Sequence, residues 1–383
     1  MNEDLLRFRY ILVYSRRMGK NTWIDVGISR EQLPKVSIVI PVYNQSEIIL
    51  RNIESIYLNI SCLAEILLVV DKCTDGTDKL IQDFLDSIEQ RTVKISNANL
   101  IGLSVYFSSK TLHETKSDKI GFLKARGEFI IEIQSDMRIM EKAFDKKLVS
   151  ALVQHPTLMA ISGRGCTTLA AMGNSELYKR AFPGRYLVSK VFLRFRSLFK
   201  PNINSQPNKN LEDITDLEKV FPSQSQFENT GIAGWRGSLI DKASNHFDPF
   251  SPLVHDLNSV PLYIGQLIMR GPLCMSRTLL LKMENFDDNT FYFGYDDTEL
   301  YIRGFIESGL RVGFVPIQVY SPEIWGSSRK AKSFIKLVIF WSNIIIRSKR
   351  FRESLAFSYL SNPERTSEIV NKMSLTRTTF SVQ

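Results

Sequence analysis

Two strand–helix units follow one another early in this 383-residue chain, and they leave few folds open. Val36-Ser-Ile-Val-Ile-Pro-Val-Tyr43 is a β-branched run stopped at Pro41, and apolar residues then recur at Ile48, Ile49, Ile53, Ile56, Tyr57 and Ile60 with helical spacing. Glu65-Ile-Leu-Leu-Val-Val-Asp71 repeats the strand. The turn Thr74-Asp-Gly-Thr77 follows it, and Leu80, Ile81, Phe84, Leu85 and Ile88 mark a second helix. Leu103 to Phe107 and Glu128 to Ile133 supply two more strands, separated by a polar segment that holds Lys110, Lys116, Lys119 and Lys124. Strands that are apolar throughout and alternate with helices predict an α/β fold with a mostly parallel sheet and helices on both faces. Such sheets bind ligands beyond the carboxyl ends of their strands, where Asn44, Asp71 and Asp136 all fall.

The rest of the chain reads less regularly. From about 166 to 265 polar patches such as Pro201-Asn-Ile-Asn-Ser-Gln-Pro207 interrupt any rhythm, which predicts an irregular insertion. Order returns at Leu267 to Met275, in a helix beginning at Asp296, and in the short strand Arg311 to Pro316. The expected layout is an N-terminal extension over 1–35, a main domain over 36–330 that contains the insertion, and a basic, apolar helical extension over 331–383. In that extension Phe334 to Arg347 lies between Arg329, Lys330 and Lys332 on one side and Lys349, Arg350 and Arg352 on the other. The pattern suits a helix lying on an anionic membrane and equally a helix buried under the main domain.

Composition excludes several classes. No apolar run is long enough to cross a bilayer, and the first twenty residues carry acids ahead of their apolar stretch and Arg16 and Arg17 after it, unlike a signal peptide. Cys62, Cys73, Cys166 and Cys274 are widely spaced without a CxxC pair, as expected of reduced, packed thiols. These features predict a cytoplasmic protein, with the C-terminal segment the candidate contact to the cytoplasmic face of a membrane. The net charge of +9 suits phosphate-rich partners, but no zinc, helix-turn-helix or RNP-type motif accompanies it, so nucleic-acid binding is not expected.

Four segments carry the chemistry: VSIVIPVYN at Val36 to Asn44, LLVVDKCTDGT at Leu67 to Thr77, GFLKARGEFIIEIQSDMRI at Gly121 to Ile139, and FYFGYDDTELYIRGFIESGLRVGFVP at Phe291 to Pro316. Together they resemble family-2 glycosyltransferases of the GT-A (Rossmann-like) fold, discontinuously from Val36 to about Ser321. The resemblance implies that Pro41, Tyr43 and Asn44 line a nucleotide pocket and that Asp71 hydrogen-bonds the base, since a carboxylate accepts from an imide or amide N–H. Lys72 stands where a second acid is usual, and Asp75 reads as a turn residue. Gln134 and Asp136 match the two acid positions of a DxD motif: Gln134 is left to hydrogen-bond ribose, and Asp136 to hold a divalent cation, Mn²⁺ or Mg²⁺, that offsets diphosphate charge. Lys119 is grouped with the donor residues.

Asp297 matches the family's catalytic base, with Asp296 and Glu299 beside it on the acceptor side. The same Asp296-Asp-Thr-Glu299 run is a capping-box pattern whose acids suit a helix N-terminus. Many family members place a metal-binding His after the strand that follows this helix, whereas Tyr320 stands near that place here and the histidines, His113, His155, His246 and His255, all lie upstream. The implied reaction transfers a sugar from a nucleotide-diphosphate donor, a UDP-sugar first, to a saccharide or lipid-linked acceptor hydroxyl in polysaccharide or glycoconjugate synthesis. The substitutions at Lys72 and Gln134 keep an alternative open, a catalytically inactive nucleotide-sugar-binding or scaffold protein.

Overall fold

The computed structural model describes residues 21, 23–26, 32–90, 97–167, 181–185, 188, 232–234, 257–291, 296–321, 334–354, 357–358, 361–362 and 376–383. Most of the insertion expected over 166–265, and Lys330 with its basic neighbours, lie outside the described residues. In chain order the elements begin β1 (Trp23–Val26), β2 (Val36–Val42), α1 (Ile49–Asn59), β3 (Ala64–Asp71), α2 (Thr77–Glu89), β4 (Leu100–Ser108), α3 (Glu114–Lys124) and β5 (Phe129–Glu132). They continue with β6 (Arg138–Ile139), α4 (Phe144–Gln154), β7 (Leu158–Ser162), β8 (Gly165–Thr167), β9 (Ile232–Gly234), β10 (Val260–Gly265), β11 (Leu267–Ile268) and β12 (Leu273–Ser276). The last are α5 (Arg277–Lys282), α6 (Asp296–Ser308), β13 (Arg311–Phe314), β14 (Val319–Tyr320), α7 (Phe334–Glu353) and β15 (Thr376–Phe380).

Ten strands form one sheet in the order β1-β4-β3-β2-β5-β12-β7-β13-β10-β15. The pairs β4–β3, β3–β2 and β2–β5 are parallel, β12 runs against both β5 and β7, and β13 is again parallel to β7. With β10 antiparallel to β13 and to β15, and β1 antiparallel to β4, all strands except β1, β10 and β12 point the same way, so the sheet is mostly parallel as expected. Right-handed crossovers through helices join such strands and bring their carboxyl ends to one edge.

Both faces are covered because successive side chains of a strand alternate. Ile38 and Ile40 of β2, Ile66, Leu68 and Val70 of β3 and Ile131 of β5 share one cluster with Ile49, Ile53 and Ile56 of α1, Ile81 and Leu85 of α2 and Phe144 and Leu148 of α4. Val39, Leu67 and Ile130, from the same strands, pack on the opposite face with Phe122 of α3, Leu280 of α5 and Leu300 and Tyr301 of α6. The Ile49/Ile53/Ile56 spacing is the helical stripe read from the sequence, fully buried here. At roughly 25 cal/mol per Å² of apolar surface, each such side chain contributes about 1.5–3 kcal/mol of transfer free energy. Gly127 lets the α3–β5 connection run flush against β2: a Cβ there would fall 2.6 Å from the Ser37 nitrogen.

Three elements depart from the sequence reading. The lysine-bearing stretch between β4 and β5 is a helix, α3, whose apolar contact with the sheet is narrow: Phe122 is buried and Leu123 exposed, so no hydrophobic stripe announced it. β10 lies within the stretch read as irregular, because its partners β13 and β15 come from distant sequence. The C-terminal stretch is not helical throughout, since β15 enters the central sheet beside β10. Among the described residues no helix is long and apolar enough to cross a membrane. One side of α7 is docked, with Phe351 buried against Ala181 and Phe291, while Ile345 and Ile346 remain 52% and 72% exposed.

Candidate active site

The turn after β2 and the turn after β3 are laced together by short polar side chains. Asn44, at φ 53, accepts from the Thr74 backbone N–H at 2.8 Å through its Oδ1 and donates its amide to Thr74 Oγ1 at 3.1 Å. Asn tolerates this left-handed conformation better than most residues, so its place at the strand exit is conformational as well as polar. Asp75 accepts from the Ser46 and Thr77 backbone amides and from the Thr77 hydroxyl. Burial opposes its charge, but these hydrogen bonds prevail and lower its pKa, as befits a turn residue. Gln45 donates its N–H to the Thr77 hydroxyl at 2.8 Å, adding a third tie.

Asp71, the last residue of β3, is buried and accepts from Leu112 N–H at 2.7 Å and His113 N–H at 2.9 Å, one on each carboxylate oxygen. It therefore anchors the loop entering α3. Each oxygen keeps a further lone pair, so this anchoring does not exhaust its acceptor capacity. Burial raises its pKa against these bonds, and burial followed by the Asp71 charge raises that of Tyr43. Pro41 sits within β2, and Lys72 is exposed. Lys119 is committed to Asp288 at 2.6 Å, which ties α3 to the loop ahead of α6.

Beyond β5, Gln134 donates its amide to Glu114 Oε1 at 3.0 Å, and Asp136 is 8% exposed. β6 follows at once and pairs with β14 so that Arg138 faces Tyr320, bringing Tyr320 beside the strand that leaves Asp136. Among the described residues no three His, Cys, Asp or Glu side chains gather as a metal cage. A lone hard carboxylate at a strand end fits a cation completed by substrate phosphate oxygens and water, the manner in which Mg²⁺ commonly binds.

Asp296 and Asp297, expected on the acceptor side, gather around a group that the sequence did not single out. Arg270, between β11 and β12, is 8% exposed. Its Nη1 lies 2.7 Å from Asp118 Oδ2 and 3.1 Å from Glu114 Oε1, its Nη2 donates to Asp296 Oδ2, and its Nε lies 3.8 Å from Asp297 Oδ2. The guanidinium also stacks over the Phe286 ring, 4.7 Å from its centroid. Glu132, the end of β5, completes the set: it is fully buried, and neither carboxyl oxygen has a hydrogen-bond partner among the described residues. Five carboxyl groups thus share one guanidinium, too little positive charge for all to ionise in a dry interior.

The shifts follow from that imbalance. Burial, only partly offset by Arg270, pushes Glu132 to about 8 and Asp118 well above the usual carboxylate range. Burial again outweighs Arg270 at Asp297 and, with Asp296 adding to it, pushes Asp297 to about 6. Asp296 is wholly buried as the first residue of α6 and is ion-paired, whereas the Asp297 side chain keeps 17% exposure and accepts from its neighbour Thr298 N–H at 2.6 Å. Glu299 is turned to Arg303, 2.9 Å away, which also donates to the Met283 and Asn285 carbonyls and so staples α6 to the end of α5.

Arg270, Glu114, Asp118 and Glu132 were missed because each is ordinary in its own segment. The one available signal was Glu132, a charge inside the apolar run Phe129 to Ile133.

Fold and site together define an α/β protein with polar and acidic side chains gathered at the carboxyl edge of its parallel strands and an acidic helix start, that of α6, joined to them through Arg270. Residues 37–171, from β2 to just past β8, match the family described as Glycosyl transferase family 2. No curated protein sequence matches the chain. Similar solved structures include GalNAc-T7 with UDP, GalNAc and Mn²⁺, at 14% identity and TM-score 0.45 over 87% of this chain and 58% of that one. The mannosyltransferase PcManGT from Pyrobaculum calidifontis, in complex with GDP-Man and Mn²⁺, is 13% identical with TM-score 0.40, covering 89% of this chain and 79% of that one. S. aureus TarS 1-349 is 13% identical with TM-score 0.39, covering 88% and 78%. The chain therefore spans 58% of the length of the GalNAc-T7 structure.

Proposed function

We propose that the protein is a glycosyltransferase that moves a sugar from a nucleotide-diphosphate donor, a UDP-sugar first, to a saccharide or lipid-linked acceptor hydroxyl with inversion. One observation carries the reading: a chain of contacts from Gln134 through Glu114 and Arg270 reaches Asp296 and Asp297, joining the strand edge of a family-2 segment to a partly accessible acid. In this reading Pro41, Tyr43, Asn44 and Asp71 surround the base and ribose, with Lys119 and Gln134 on the donor side, and Asp296 and Glu299 shape the acceptor side.

The acceptor oxygen attacks the anomeric carbon as the bond to the diphosphate oxygen breaks, the diphosphate leaves with the bonding pair, and Asp297 takes the hydroxyl proton. A carboxyl group at about 6 is mostly ionised at neutral pH yet basic enough to accept that proton. Asp136 would hold the divalent cation, which when bound supplies charge stabilisation to the departing diphosphate.

The setting we infer is the cytoplasmic side of a membrane in polysaccharide or glycoconjugate synthesis. Exposed Ile345 and Ile346 beside exposed Lys349 and Arg350 on α7 support peripheral contact with an anionic surface. Turnover of a panel of UDP- and GDP-sugars, with and without EDTA, tests the function. Nucleotide-sugar binding without turnover of any member, acceptors included, favours the inactive-scaffold alternative.

A further inference from the structure

The buried guanidinium of Arg270 does more than neutralise a neighbour. It is the one cation among the described residues that touches α3 through Glu114 and Asp118 and the start of α6 through Asp296, and Glu114 also holds the Gln134 amide. Two of its three nitrogens are consumed by carboxylates. The third, Nε, is buried, has no hydrogen-bond partner among the described residues and lies 3.8 Å from Asp297 Oδ2, beyond bonding distance. We propose that Arg270 is a positioning residue of the transfer reaction: it fixes the start of α6 against the donor-side loop and supplies the positive charge that keeps the Asp297 carboxylate available to accept the acceptor's proton.

The proposal rests on the reading of Asp297 as the base. The ionisable groups facing Asp297 are Arg270, Asp296 and Glu114, with Glu132 and Tyr301 coupled to it through the same buried volume. Arg270 alone among them favours its charge, and the acids oppose it. Among the described residues both Glu132 oxygens and the Tyr301 hydroxyl are without hydrogen-bond partners, so neither side chain holds Asp297 in place of the guanidinium. A bystander ion pair that only holds the fold would contribute stability without setting where Asp297 titrates. Opposite changes in local charge therefore separate the two roles by the sign of a shift.

The test follows initial rates of nucleoside diphosphate release from UDP-N-acetylglucosamine, or from whichever nucleotide sugar the donor panel shows to be turned over, across about pH 5 to 9. Arg270→Gln removes the cation, and on folded protein it should lower kcat about tenfold or more and move the acid limb upward by about one pH unit. Arg270→Lys, which returns charge without the fork, should recover part of that shift. Asp296→Asn removes the adjacent negative charge while keeping an acceptor for Arg270, and should move the limb downward. Acid limbs that coincide in wild type, Arg270→Gln and Asp296→Asn overturn the proposal. If Arg270→Gln fails to fold, Asp296→Asn decides: a downward limb supports the role, and an unmoved or upward one overturns it. Asp297→Asn is run alongside, because wild-type turnover there removes the base reading itself, whereas an inactive Asp297→Asn with unmoved limbs in the other variants removes only the role of Arg270.

Discussion

The proposed site has two banks, donor and acceptor, built on different physics. On the donor bank, Asn44, Asp75 and Thr77 are held by hydrogen bonds to backbone amides and hydroxyls of adjacent turns. On the acceptor bank, Asp296 and Asp297 are held by a buried arginine and compete with three further carboxyl groups for it. The Asn44–Thr74 ties are neutral hydrogen bonds that contribute modestly and do not change with pH, and the turn holds Asp75 ionised, whereas the buried charges around Arg270 are costly, coupled and pH-dependent. A transferase needs both qualities: a rigid seat for the nucleotide, and a carboxylate whose proton affinity has been raised toward that of its working medium.

The comparison breaks most sharply at Asp297. Asp297→Asn keeps the size and the Thr298 hydrogen bond but removes the proton acceptor, so turnover should fall about 10²-fold or more while nucleotide affinity and thermal stability persist. Wild-type turnover should itself rise with pH through about 6, as Asp297 loses its proton, and a rate–pH profile flat through that range would remove it as the base. Next in size is Asp136→Ala on the donor bank. Calorimetric titration of UDP with Mn²⁺ should lose its metal-dependent component, on the order of tenfold or more in affinity, and an unchanged metal dependence in folded protein would move the cation elsewhere.

A smaller effect with a distinctive sign is expected at Glu132. Its folded pKa, about 8, is raised above the roughly 4.3 of an unfolded glutamate, so the stability it contributes is complete below about 4.3 and is lost as pH climbs to about 8. Glu132→Gln mimics the protonated form. The variant should match wild type in acid and exceed it by a few kcal/mol near pH 8, each tenfold change in proton affinity corresponding to about 1.4 kcal/mol. Denaturant midpoints at both ends of that range check this, and equal midpoints at pH 8 would mean that the buried cluster is wetter than its burial indicates. Smallest is Asn44→Ala, which loses the ties to Thr74 and places alanine at φ 53. A cost of about 1–2 kcal/mol, with the same value at pH 6 and pH 8, would mark the Asn44–Thr74 ties as uncharged.

The membrane-facing reading and the core reading of the C-terminal helix were indistinguishable in sequence because both require one apolar stripe. In the described part of α7, Phe351 packs inward whereas Ile345 and Ile346 are exposed. Arg347, at the end of the apolar segment, and Arg350, in the basic cluster after it, donate to the carbonyls of Asp288 and Asn289 in the loop ahead of α6.

What the sequence determined by itself is the part of the molecule made from short-range pattern. The runs Val36 to Val42 and Ala64 to Asp71, the helical stripe of Ile49, Ile53 and Ile56, and the turn at Asp75 each follow from the preferences of a few adjacent residues, and with them come the parallel sheet and the donor edge. Tertiary structure alone decided the acceptor bank. Arg270 meets Asp118 across 152 positions and Asp296 across 26, and no local periodicity records a contact made at such separations. The chemistry proposed for Asp297 depends on that meeting, because the proton affinity of a carboxyl group is set by the charges and the dryness around it in space, whichever part of the chain supplies them.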